Sequence, residues 1–387
     1  MSLLFWTAAG LMTATVLAYG LFVISLAALL PRRPPTTPAA PLPATLLITA
    51  RNEEGCIADK LANALAQTVA PHRLSVVVAS DGSTDRTAAI ARSMADPRVR
   101  VIETADHAGK IAAMQQALAT IRDPVVIFSD ANSLFVPGAL AALLEHFGDP
   151  QVGGVCGALG IARRRSGWLG LAEDLYWRYD NAIKRAEHRL GGAVSAQGSL
   201  YAMRRELVGA VPPSVADDFF ISTGAVTAGR RLAFEPRAVT IEAVSADARG
   251  EFGRRVRSTE RGWRALLMRR GLLNPARHGA YALQLLFHKL LRRLVPWMLL
   301  ALFAASLGLA GEHPFYATAL AVQAAIYGLA LAVAVFPPLR RIPGSSLVFF
   351  AVGSQLAMAL GLVRVALGRH SSRWTPVRGA AAPAEHS

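Results

Sequence analysis

The chain has 387 residues, 53% of them hydrophobic, and a mean hydropathy of +0.34. That is too apolar for an ordinary soluble enzyme and too polar for a bare membrane bundle, so a soluble domain joined to membrane spans fits. Its 41 Lys and Arg against 26 Asp and Glu give a net charge of +15. No aromatic-basic motif for RNA or DNA accompanies that excess, which therefore suits anionic headgroups and phosphorylated substrates rather than nucleic acid.

Residues 3–30 are almost wholly apolar and long enough to cross about 30 Å of hydrocarbon. A signal peptide would need a basic n-region and a shorter apolar run. Arg32 and Arg33 follow at once, which sets that end in the cytosol. The segment 1–31 reads as a membrane helix and 32–44 as a proline-rich linker, since clustered prolines exclude helix and central strand. Cys56 and Cys156 are too few for a disulfide framework or a Cys/His zinc site, and a reducing setting is the default.

From Thr45 the pattern becomes α/β. Strands are predicted over 45–50, 74–80, 99–103 and 125–129, with helices over 54–67, 85–93, 110–121 and 137–147 between and after them. Alternation at this spacing gives crossover units and a mostly parallel, Rossmann-like sheet. A further strand is predicted over 152–161 and a long helix over 168–190. That helix carries Trp168, Leu171, Leu175 and Tyr179 as an apolar stripe, expected to pack on the core.

Three strands end in polar clusters: Ala50-Arg51-Asn52-Glu53-Glu54, Ser80-Asp81-Gly82-Ser83-Thr84-Asp85, and Asp130-Ala131-Asn132. Ligands of open α/β sheets bind beyond the carboxyl ends of the strands. A carboxylate and an amide oxygen two residues apart suit a divalent cation, because hard cations take oxygen ligands. Each cluster alone also fits turn chemistry; three at one sheet edge favour a site. No GxGxxG or GxxxxGK[ST] follows the first strand, which argues against a dinucleotide fold or a P-loop.

The segments ARNEE, ASDGSTDRT, HAGKIAAMQQAL, FSDANS, VGGVCG, QGSLYAMRRE, ADDFF and RRVRSTERGW, in this order, resemble the membrane-bound family 2 glycosyltransferases. That group is related to cellulose, chitin, hyaluronan and poly-N-acetylglucosamine synthases. The resemblance covers about residues 45–270. It implies a GT-A catalytic domain over 45–270 that takes a nucleotide-sugar donor, a UDP-sugar, with Mg or Mn. Ala50, Arg51, Glu53 and Asp81 are then donor-binding, with Asp81 accepting from ribose or base donors. Lys110, at a helix start after Gly109, faces the diphosphate, where a cation and free amides favour anions. Asp130 binds donor and, with Asn132, metal. The family pattern is usually Asp-x-Asp, and the Asn here removes one negative charge. Gln197 and Gly198 face the sugar and acceptor.

Asp217 and Asp218 form a second acid cluster. Two adjacent acids also fit a plain helix N-terminus. Inverting glycosyl transfer, however, needs a carboxylate to take the acceptor proton as the new bond forms. The resemblance sets that base at Asp218, with Asp217 beside it. Arg261 and Trp263 are expected at the acceptor and diphosphate. Processive members carry Gln-x-x-Arg-Trp there. This chain reads Ser258-Thr259-Glu260-Arg261-Gly262-Trp263, so a short product is expected rather than a polymer.

Residues 271–293 are expected to form an interfacial amphipathic segment, with its helix over 275–293, and 294–368 to hold further membrane segments. Candidate spans are 295–310, 315–336 and 347–367. Three spans put the basic tail, 369–387, outside. Its Arg369, Arg373 and Arg378 argue for the cytosol, and a re-entrant last segment satisfies both. The whole reads as a multi-pass enzyme of a bacterial-type inner membrane with a cytoplasmic catalytic domain. It would act on a lipid or saccharide acceptor among membrane lipids, with no nucleic-acid partner. The rivals are a processive polysaccharide synthase, a nucleotidyltransferase, which expects a Gly-rich loop after the first strand, and a transporter with a regulatory domain, which expects ionisable or broken spans.

Overall fold

The computed structural model describes residues 1–30, 41–161, 168–242 and 248–369. Most of the expected linker and the tail beyond Arg369 lie outside the described residues. Eight strands form one sheet: β1 (Pro43–Ala50), β2 (Arg73–Asp81), β3 (Val99–Thr104), β4 (Val125–Asp130), β5 (Ser133–Phe135), β6 (Val152–Ile161), β7 (Tyr201–Arg204) and β8 (Arg231–Glu242). Their order is β3-β2-β1-β4-β7-β6-β8-β5. The first four are mutually parallel, β7 runs antiparallel to β4 and β6, β6 is parallel to β8, and β5 is antiparallel to β8.

The parallel strands are apolar runs because helices cover both of their faces. Alternate residues serve opposite layers. Leu47, Val126 and Phe128 join Met114, Tyr201, Phe219 and Trp263 on one side, while Leu46, Ile48 and Ile127 join Ile57, Leu61 and Leu140 on the other. Pairing is level at the carboxyl edge: Ala50 lies opposite Ser80, Thr49 opposite Asp130, and Asp81 opposite Thr104. Strand order reverses between β1 and β4, so a crevice opens beyond those ends.

The helices of this domain are α2 (Ile57–Leu65), α3 (Thr87–Ser93), α4 (Lys110–Thr120), α5 (Ala139–Glu145), α6 (Trp168–Leu190), α7 (Asp217–Thr227) and α8 (Ala248–Met268), preceded by α1 (Ser2–Leu29). The apolar stripe expected to pack α6 on the core does not do so. Leu171 is 54% exposed and Leu175 56%, whereas Asp180, Ile183, Lys184, Ala186 and Glu187 are buried. The reason is a polar knot. Lys184 pairs with Asp180 at 2.8 Å, and Arg292 reaches Asp180 at 3.1 Å. His288 lies 2.7 Å from Glu187, and the Tyr19 hydroxyl donates to Glu187 at 2.6 Å. Satisfied charges bury together, and the apolar stripe is left outside.

Four helices are long and apolar enough to cross a membrane: α1, α9 (Ala280–Leu309), α10 (Pro314–Val335) and α11 (Ser345–Ala366). The boundary expected near residue 293 falls inside the continuous α9. Gln284 and His288 of α9 are buried against the catalytic domain, so the polar side of its first half faces protein. α1 packs on α6 and α9 through Tyr19, which stacks on Phe287 with centroids 5.3 Å apart, and through the Tyr179 hydroxyl, which donates to the Val16 carbonyl at 3.0 Å. α11 lies along α8. Arg255 covers the Phe350 ring at 4.7 Å, Gly361 sits against Thr259, and Arg264 donates to the Arg369 carbonyl.

Candidate active site

The crevice is built from the strand-end clusters. Ala50 closes β1, and the next residues turn back onto the β2 loop. The Glu53 N–H donates to the Thr87 hydroxyl at 2.7 Å, the Thr84 N–H donates to Asn52 at 2.8 Å, and Arg51 reaches the Asp81 carbonyl at 3.4 Å. Asp81 is buried. One of its oxygens accepts the Gly109 N–H at 2.9 Å and the other meets His107 at 2.8 Å. The carboxylate expected to face a nucleoside thereby also fixes the turn that launches α4.

Lys110, the first residue of α4, is held at the centre. Its ammonium lies 2.9 Å from Asp130 at the end of β4 and 3.1 Å from Asp217 at the start of α7. Burial alone would weaken the protonated form, but the Asp130 and Asp217 carboxylates more than reverse this and hold Lys110 above its ordinary pKa. A small cavity beside it is lined by Thr49, Met114, Ser129, Asp130, Tyr201 and Asp217. Gly198 belongs there because a side chain would approach Asp130: an added Cβ would stand 3.3 Å from its Oδ2. Gln197, next to it, leaves its buried Oε1 without a partner.

Asp218 follows Asp217 and accepts the Phe219 N–H at 2.7 Å. Burial and then the neighbouring Asp217 charge push its pKa up to about 6. A carboxylate tuned upward in this way is better matched to proton transfer near neutral pH. The acid pair is tied to α8, since the Ala216 N–H donates to the Arg261 carbonyl at 3.2 Å. Trp263, two residues on, is 6% exposed and lies in the core rather than at an open mouth.

The metal expectation can be tested against the oxygens present. Asp130 is about one-third exposed at its side chain. Asn132 makes no hydrogen bond among the described residues and is half-buried two residues on. No group of three or more His, Cys, Asp or Glu residues suited to a metal occurs among the described residues. One carboxylate and one amide oxygen are too few for a closed protein cage. They suit a hexacoordinate ion that keeps waters and takes substrate phosphate oxygens, so the residues fit Mg or Mn bound with a diphosphate.

Two residues of the site escaped the sequence reading. Lys60 of α2 is fully buried beneath the Asp130–Asn132 turn. It donates to the Ser129 hydroxyl at 2.7 Å and to the Ser133 carbonyl, and lies 3.6 Å from the Phe135 ring centre. Burial lowers its pKa to about 7. A lysine inside an amphipathic helix gives no sequence sign of this. Tyr201 is 1% exposed, stacks on Phe128 with centroids 4.7 Å apart, and leaves its hydroxyl without a partner. Burial and then the Asp217, Asp218 and Asp130 charges keep that phenol protonated. Its signal was available: a Tyr two residues after the Gly198-Ser199 pair, at the start of a strand.

The model of glycosyltransferase-like family 2 matches residues 41–265. The chain belongs to this family. This family 2 glycosyltransferase is 38% identical to the succinoglycan biosynthesis protein ExoU of Rhizobium meliloti (strain 1021), over 29% of this chain and 32% of that protein. It is 26% identical to an N-acetylglucosaminyltransferase of the same organism, over 53% of this chain and 52% of that one. The chain thus spans a third to a half of the length of these relatives. Among solved structures it is similar to the mannosyltransferase PcManGT from Pyrobaculum calidifontis in complex with GDP-Man and Mn2+, with a TM-score of 0.70, 23% identity, and coverage of 95% of this chain and 100% of that one. The fold is that of a GT-A glycosyltransferase carrying four membrane-length apolar helices.

Proposed function

We propose that this enzyme transfers a sugar, with inversion, from a nucleotide-sugar donor to a membrane-associated lipid or saccharide acceptor. The observation that carries the reading is the Lys110 ammonium shared by Asp130 and Asp217. It joins a donor-side carboxylate to an acceptor-side acid pair at one sheet edge. The Asp81–His107–Gly109 turn then marks the nucleoside end, Lys110 the diphosphate, and the cavity bounded by Gly198, Tyr201 and Asp217 the sugar. On donor binding Lys110 exchanges its carboxylates for phosphate oxygens, which charge-assisted hydrogen bonds favour. Asp218 takes the proton of the attacking acceptor hydroxyl. A divalent ion held by Asp130 and Asn132 would neutralise charge on the departing diphosphate. The similar mannosyltransferase PcManGT, with its GDP-Man and Mn2+, supports a nucleotide sugar and a divalent ion. A UDP-sugar remains the proposed donor here.

The enzyme is read as lying in a bacterial-type inner membrane with its catalytic domain in the cytosol. The packing of α11 along α8 supports three crossings, by α1, α9 and α10, with α11 held at the cytoplasmic face. That arrangement keeps Arg340, Arg341 and Arg369 on one side, as the positive-inside rule requires. The test is turnover of a panel of UDP- and GDP-sugars by purified membranes, with products weighed by mass spectrometry. Transfer of one sugar mass from one donor class is expected. Absence of transfer from every donor would defeat the reading.

A further inference from the structure

Near Asp218 the site also carries cations that make no ion pair. Among the described residues, Arg261 of α8 and Lys289 and Arg293 of α9 make no ion pair within 4.0 Å. Lys289 makes no side-chain hydrogen bond, and the contact of Arg293 is with the Lys289 carbonyl, at 3.4 Å. Lys289 and Arg293 are spaced four residues apart, so they share a face of their helix.

Gly262 explains how Arg293 reaches the site. A Cβ at residue 262 would stand 2.5 Å from one guanidinium nitrogen of Arg293 and 3.2 Å from its central carbon. A side chain there would push the end of the guanidinium aside. The preceding carbonyl, of Arg261, holds the Ala216 N–H at 3.2 Å, so Arg293 lies over the turn that anchors the acid pair. The charge of Lys289 also acts on Asp218. Next along α9, Arg292 covers the Tyr176 ring at 5.8 Å, and Tyr176 adjoins the exposed Leu175 and Leu171. An apolar lane along α6 therefore leads to Arg292.

Half-buried cations that make no ion pair repel one another and lose hydration, an arrangement that an anion would relieve. The donor diphosphate already has the α4 N-terminus and Lys110 on the other side of the acid pair. We propose that Lys289 and Arg293 form a subsite for a phosphate or diphosphate group carried by the acceptor, which sets the acceptor hydroxyl against Asp218. This deepens the transferase reading and rests on Asp218 being the base. The group comes from a lipid-linked acceptor or from a soluble sugar phosphate, and the chemistry of capture is the same.

The test uses the full chain in phosphatidylcholine nanodiscs, titrated with a polyprenyl diphosphate, the matching polyprenol and inorganic pyrophosphate, with tryptophan fluorescence as readout. Saturable binding of a diphosphate is expected, with the Lys289→Gln/Arg293→Gln double variant weaker by about tenfold or more, the scale of lost charge-assisted contacts. Arg293→Lys should keep most of the affinity. Tighter binding of the polyprenyl diphosphate than of pyrophosphate assigns the anion to a lipid. Equal binding of the two, both weakened in the double variant, assigns it to a soluble acceptor. Equal affinity of wild type and double variant for every phosphate probe, or no saturable binding, would overturn the subsite. Transfer from the donor panel is measured on the same wild-type protein, and if it moved no sugar from any donor the transferase reading would fail separately from the binding result.

Discussion

On the donor side of the site nearly every charge is answered from within the chain, while on the acceptor side several are not. Asp81 is held by His107 and the Gly109 N–H, and Lys110 by Asp130 and Asp217. Across the acid pair, Arg261, Lys289 and Arg293 have no ion pair among the described residues. The donor side is thus internally neutralised, and a ligand must compete with existing contacts. The acceptor side holds unspent polar groups that only a ligand can satisfy. Such a difference suits a donor that arrives with its own metal ion, which can take over Asp130 while phosphate takes over Lys110.

Removing the divalent ion should break the donor side most completely. Chelation is expected to abolish transfer, with recovery on adding Mg or Mn; full activity in excess chelator would remove the metal from the scheme. Next in size is Lys110→Ala. It leaves Asp130 and Asp217 without their shared cation, and donor turnover should fall by about 10²-fold or more, the cost of losing one electrostatic clamp. Normal steady-state kinetics in that variant would show that the shared lysine is only structural.

A smaller effect is expected in the cavity proposed for the sugar. Tyr201→Phe keeps the ring that stacks on Phe128 and deletes only the unpartnered hydroxyl. An unsatisfied buried hydroxyl is itself costly, so the melting temperature should hold or rise while turnover drops roughly tenfold through a lost substrate contact. A lower melting temperature with unchanged turnover would make Tyr201 a core residue and nothing more. The subtlest effect is on pH dependence. Asp218, raised to about 6 by burial and by Asp217, acts as a base only when ionised, so kcat/KM should fall as pH drops through about 6. Asp217→Asn removes the raising charge, and the acidic limb of the rate profile should move down by about one unit. An unmoved limb would assign it to another group.

The donor side was also the part legible in the sequence. Its strands are continuous apolar runs and its candidate residues lie in the short loops directly after them, so Asp81, Lys110 and Asp130 can each be placed at the sheet edge from the strand that precedes it. The acceptor side depends on long-range packing. β8 was missed because Pro236 and scattered charges break its alternation, and β5 has three residues. The α6 stripe was read as core, because nothing local says that Asp180 and Glu187 would be neutralised by residues more than a hundred positions away. Likewise the gap at Gly262 is meaningful only once Arg293 is seen to fill it.

The most direct test is Asp218→Asn, measured twice on the same purified protein: nucleotide affinity by calorimetry, and sugar transfer by mass spectrometry. With Asp218 as the base, nucleotide affinity stays near wild type while transfer falls by about 10²-fold or more. Transfer at the wild-type rate would contradict the assignment and leave Asp217 as the base.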